Sequence, residues 1–163
     1  MEWLFMLGVV TGMRTMTAIA AVCWAAWLTL LPETGWALWT TYLVSAIVFS
    51  VMALGEYYGD TLASTPSRKA LGPALARVIF GALVGALGAK AITEPLAGGI
   101  LVGVVGALIG TWGGYAVRRW GAQRVGKDLP VALAESGFAI ALAAFSIWSL
   151  HKGIAIDMKR GAV

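Results

Sequence analysis

Thr11-Gly12-Met13-Arg14-Thr15-Met16-Thr17 is a polar interruption in an apolar run that covers residues 3–31. Its reading decides how often the chain crosses a bilayer. An arginine at bilayer depth costs between about 3 and more than 10 kcal/mol unless it pairs or lines a wet cavity. One solution is a single long tilted helix that turns Arg14 inward. The other is a half-helix, a break at Gly12 and a second segment from Thr15 onward. If the break makes the segment re-entrant or divides it into two crossings, the parity of every later segment changes.

Outward from that stretch, the 163 residues are 60% apolar and 12% charged, against roughly 25% charged in soluble domains. The length holds about five spans of roughly 20 residues with short connections. The expected fold is therefore all-α: a polytopic helical membrane protein, one integral-membrane domain over residues 1–163. After Pro32-Glu33-Thr34-Gly35 ends the first run with turn chemistry, a second span is expected over 36–58. It opens on Trp36, Trp39 and Tyr42 as an interfacial belt. Pro73 begins a third span to residue 91, the fourth covers 96–117, and the fifth runs from Pro130 to about Leu150.

The net charge of +4 does not indicate nucleic acid, because the basic residues collect at helix ends. Arg68, Lys69, Arg118, Arg119, Arg124 and Lys127 fall in two loops that five spans would put on the side of the amino terminus. Lys90, Lys152, Lys159 and Arg160 fall on the other. The positive-inside rule then puts the amino terminus in the cytoplasm. The amino terminus has no basic n-region, so no removable signal peptide is expected. A single cysteine, Cys23, excludes an internal disulfide or redox pair and reads as a small packing residue. No metal site and no cofactor are expected: there is no His-Glu-x-x-His pattern, no Ser-His-Asp set and no phosphate-binding glycine loop. His151 reads as a helix-end cation. Trp112 and Tyr115 read as packing or lipid-facing groups, and residues 61–69 as a solvated connector.

Glu56, Arg77 and Glu135 each lie about one turn inside a span, roughly 5 to 8 Å below the cytoplasmic boundary at 1.5 Å per residue. Arg14 is expected deeper. Asp60 follows Glu56 by four residues and shares its face if the helix continues. Such a set can lock helices by mutual neutralisation, bind a polar or ionic ligand, or carry protons. Arginine at both cationic positions suits bidentate recognition of carboxylate or phosphate. Arg14, Glu56, Asp60, Arg77 and Glu135 are therefore the candidate ligand or ion pathway.

Gly99, Gly103, Gly106, Gly110, Gly113 and Gly114 recur at three- and four-residue steps, one stripe of a helix. Gly8/Gly12 and Gly81/Gly85 repeat the spacing. Stripes of this kind let backbones approach closely, within the chain or at a homo-oligomer seam. The stretches 8–12 and 106–110 are similar and would cross in opposite directions, a weak inverted-repeat character.

The pattern Gly12-Met13-Arg14, Glu56-x-x-x-Asp60, Arg77 in a small-residue run, and Pro130 with Glu135 resembles a family of small bacterial integral-membrane proteins whose shared domain has no assigned function. Thr61 and Ser136 stand where members tend to carry Lys and Asp. The resemblance implies an inner-membrane fold over nearly the whole chain and singles out the same charged positions. The expectation is a transporter or channel-like protein that binds a small polar or anionic solute, or a lipid headgroup, in a cytoplasm-facing vestibule. The alternative is an oligomeric membrane scaffold whose charges are structural ion pairs, and a lipid-modifying enzyme ranks third, for want of an evident nucleophile.

Overall fold

The structure, a computed structural model, describes residues 1–59, 71–126 and 128–159. Among these the regular secondary structure is helical: α1 (Glu2–Met13), α2 (Thr15–Trp27), a 3₁₀ helix (Gly35–Thr41), α3 (Leu43–Gly59), α4 (Leu71–Ala91), α5 (Leu96–Val125) and α6 (Asp128–Lys159). The helices over Gly72–Ala91, Leu96–Val125 and Leu129–Ile156 are long and apolar enough to cross a membrane. The 3₁₀ helix and α3 make a fourth such span if taken together, bent by 67°. Exposed side chains include Val44, Val51, Leu54, Leu101, Ile109 and Leu133, while the interior mixes Leu4, Leu7, Ile19 and Leu87 with many alanines and glycines, several threonines and two arginines. Apolar groups facing outward as well as inward, with small residues at helix contacts, fit a helical membrane protein.

The first run is not one helix. Arg14 is extended (φ −142°, ψ 98°), so the break falls there rather than at Gly12, and α1 and α2 are 12 and 13 residues long, about 18 and 20 Å. Contacts with α6 give their directions. Trp3 meets Phe145 while Arg14 reaches Ala132 and Glu135, so α1 runs antiparallel to α6. Leu30, just beyond α2, meets His151, so α2 runs back along it. The pair is a helical hairpin that turns at Arg14.

That reversal corrects two expectations. Met1 lies against Gly98 at the start of α5, whereas Arg118 lies near its far end beside Glu135. Met1 and the basic end of α5 are therefore at opposite ends of the bundle. The second correction concerns the glycine segments at 8–12 and 106–110, which run parallel because α1 enters alongside α5. They pack on each other: a methyl group at Gly8 would sit 2.5 Å from the Gly103 carbonyl oxygen, and one at Gly106 would sit 2.9 Å from the Val9 amide nitrogen. The inverted-repeat reading fails on this geometry. Of the five spans expected, three helices are long and apolar enough to cross, up to four with the bent pair, and α1 and α2 are shorter apolar helices.

The glycine stripe of α5 has two faces in use. Gly99 and Gly103 meet Gly85 and Gly81 of α4, and Gly103, Gly106 and Gly110 meet α1. A methyl group at Gly113 would touch nothing within 4 Å, and Gly114 is half-buried. Gly12 is the most constrained partner, since a methyl group there would press on Ala107, Gly110 and Thr111 backbone. Gly12→Ala should lower stability by about 1–3 kcal/mol through overpacking, while Gly113→Ala should leave stability unchanged or raise it by up to about 1 kcal/mol. Thermal denaturation of the two purified variants checks both.

Candidate functional site

Breaking a helix inside an apolar bundle strands backbone groups. The amides at the start of α2 have no carbonyl one turn earlier to receive them, and no water is on hand in hydrocarbon. Glu56, in the last turn of α3, supplies the missing acceptors: Thr15 N–H donates to Oε1 at 2.9 Å and Met16 N–H to Oε2 at 3.0 Å. The carboxylate caps a helix from another element. It also sits where the positive end of the α2 dipole favours an anion. The next residue, Tyr57, shares a 2.6 Å hydrogen bond between its hydroxyl and Thr17. At the end of α1 the Gly12 carbonyl accepts from the Thr111 hydroxyl at 3.3 Å, and that hydroxyl also reaches the Ala107 carbonyl at 2.7 Å.

Arg14 is 1% exposed. Its Nη2 donates to the Ala132 carbonyl at 3.3 Å and lies 3.9 Å from Glu135 Oε2. Its guanidinium carbon stands 5.2 Å from the centre of the Tyr57 ring, within range for a cation–π contact. The same Glu135 oxygen is 3.7 Å from Arg118 Nη1. Glu135 thus sits between two arginines from different helices. Arg77 is also buried. Because Gly81, one turn later on α4, meets Ala107, Arg77 lies at the level of α5 that holds Thr111.

Two grooves flank this cluster. One, of about 500 Å³, lies between α1, α5 and α6; Arg118 and Glu135 stand among apolar walls that include Gly113, Gly114 and Phe138. The other, of about 560 Å³, runs between α2, α3 and α6 from Thr17 and Tyr57 to Leu30 and His151. Tyr57, stacked against Arg14, closes one end of it, so the second groove extends from the charged cluster to the opposite end of the bundle.

Of the residues expected to form the site, Arg14, Glu56 and Glu135 are brought into one connected set and Arg77 to the same end. Arg14 is not deeper than the rest, because the hairpin turn carries it to the level of Glu135. Asp60 lies outside the described residues. Of the stripe, Gly99, Gly103, Gly106 and Gly110 serve packing, while Gly110 and Gly114 contribute to a groove wall. Sequence reasoning assigned Arg118 to a cytoplasmic loop, yet it is a partner of Glu135. It passed over Tyr57 and Thr17, though Tyr57 directly follows Glu56 and so had to approach the same break. Glu33, read as a turn residue, is 6% exposed. Among the described residues no group of three His, Cys, Asp or Glu could hold a metal ion. Comparison with protein families, with curated proteins and with solved structures finds no match.

The cap predicts a graded response. Glu56→Ala, which strands two amides, should cost about 2–3 kcal/mol of stability. Glu56→Gln, which keeps one acceptor oxygen, should cost about half as much. Unfolding midpoints of the two variants beside the parent protein check the order.

Proposed function

We propose that the protein is a multi-pass inner-membrane carrier for an organic anion with an apolar body, held at the arginine end of the grooves. One observation carries the reading: the groove between α1, α5 and α6 is apolar except for Arg118 and Glu135 at its charged end. Arg14, Arg77 and Arg118 crowd an end where the Glu56 carboxylate is already spent on backbone amides. A carboxylate or phosphate on an apolar tail matches such a site, because an arginine fork takes the anion and the walls take the tail. Short helices that meet at a break are also what carriers use to build sites.

In this reading α3 to α6 make four full crossings and the α1–α2 hairpin is re-entrant. At about 18 and 20 Å its arms are short against a hydrocarbon core of about 30 Å. The end that holds Arg118, Arg119 and Arg124 faces the cytoplasm by the positive-inside rule, and Met1 then lies at the other face. A cysteine at Gln123 in a Cys23→Ser protein should be shielded from an impermeant thiol reagent in intact cells and one at Thr34 should react; the reverse pattern would refute the orientation.

Ligand binding is tested on detergent-purified protein with acyl carboxylates, acyl phosphates, inorganic phosphate and a zwitterionic detergent as probes. Binding at about 100 times Kd stabilises by about 2.7 kcal/mol, a shift of several degrees. The amphiphilic anions should produce it and Arg118→Gln should abolish most of it. Inorganic phosphate alone producing it would place the specificity in the headgroup. No shift with any anion would favour the scaffold, for which the saturated Glu56 carboxylate speaks. That reading requires Arg118→Gln to destabilise and Glu135→Gln to rescue it.

A further inference from the structure

At the end opposite the arginines, residues 28–34 form the turn between α2 and the 3₁₀ helix. It is fastened at several points. Leu31 is 1% exposed, the Leu30 carbonyl lies 3.0 Å from His151 Nδ1, and the Glu33 side chain is buried. The turn is also bent under load: Thr29 holds a left-handed φ of 58° and Gly35 one of 62°, and the first is a conformation that side-chain-bearing residues resist. Leu28, Leu30 and His151 line the end of the groove between α2, α3 and α6. The position of this turn therefore sets whether that end is covered.

Neither carboxyl oxygen of Glu33 has a hydrogen-bond partner among the described residues. An ionised carboxylate without donors is costly to bury, whereas a neutral carboxyl is far less so. Among the described residues, ionisable groups toward this end are the Met1 amine and Glu2 at the start of α1, Cys23 on α2, Tyr42 before α3, Lys90 on α4, Glu94 in the turn after it, and His151, Lys152 and Lys159 on α6. Lys90 is the cation that acts on Glu33, and its charge favours ionisation without outweighing burial.

We infer that Glu33 is a proton-binding site that works as a latch: protonated, it seats the 28–34 turn against α2 and α4 and covers the groove end, and ionised, it leaves and uncovers it. Burial, opposed in part by Lys90, raises the Glu33 carboxyl from 4.5 to about 7. The seated state therefore binds a proton that the released state gives up over that interval. The sign follows: seating is undisturbed below about pH 4.5, weakens as pH rises, and reaches its full penalty above about 7. The latch does not depend on what the grooves bind.

The test uses a thiol placed in the turn itself, at Leu31, which is 1% exposed when seated, as Leu31→Cys in a Cys23→Ser protein, Cys23 being the single cysteine of the chain. The thiol's rate of alkylation by a maleimide is measured in the full protein in lipid nanodiscs, beside the same rate with Glu33→Gln added. Dividing the first by the second removes the pH dependence of the thiol apart from the charge of ionised Glu33, which slows the reaction and so cannot itself produce a rise. The ratio should rise about tenfold from about pH 5.5 to about pH 8; a flat ratio overturns the latch. Lys90→Met, which removes the favouring cation, should move the midpoint of the parent's pH-dependent loss of thermal stability upward, and a midpoint that stays or falls overturns it as well. If Glu33→Gln does not fold, the Lys90→Met profile decides alone.

Discussion

The contact between the Glu56 carboxylate and the first amides of α2 carries the rest of the architecture. A chain that reverses direction inside an apolar bundle must satisfy the donors it exposes, and here two of them are met by one side chain from a distant helix. The bond ties α3 to the hairpin and sets Tyr57 against both Thr17 and Arg14. Without it the break would leave two amides unsatisfied, at a cost of about 2–3 kcal/mol together. The carboxylate occupies the place at a half-helix N-terminus that an external anion takes in carriers with interrupted helices.

The hairpin is held from its other side by small residues. Gly8 and Gly12 bring α1 so close to Gly103, Gly106 and Gly110 that backbone meets backbone. The same α5 stripe accepts α4 through Gly81 and Gly85. Close approach on both sides leaves Arg14 little choice of position, and it emerges beside Ala132 and Glu135. The two ends of the bundle are consequently unlike: one carries arginines around Glu135, the other a buried, unpartnered carboxyl at Glu33. A groove along α2 joins them.

Helical class and the rough positions of α3 to α6 were legible from apolar runs bounded by prolines and charges. The segment read as an aromatic belt winds as a 3₁₀ helix through Trp36 and Trp39, bent by 67° against α3, and its Trp39 packs on Phe49. The intramembrane charges were conspicuous because the bilayer penalises them, and for that reason Arg14, Glu56 and Glu135 could be named before their contacts were known. Arg118 was misread because an arginine near a helix end satisfies the positive-inside pattern equally well as a loop marker or as a buried partner.

The sequence by itself determined that the first apolar run carries a polar interruption around Arg14, that glycines recur at helix-packing spacing, and that the buried charges need partners or a wet cavity. These follow from local chemistry and from the cost of charge in hydrocarbon. Only the tertiary structure decided that the chain turns back at Arg14, that α1 lies parallel to α5, and that Glu56 serves amides before any ligand. It also decided that Glu33, a turn residue by spacing, is buried with no hydrogen-bond partner for its carboxyl among the described residues. Each of these depends on which helix lies beside which, and a one-dimensional pattern of apolar and charged positions is the same for either direction of packing.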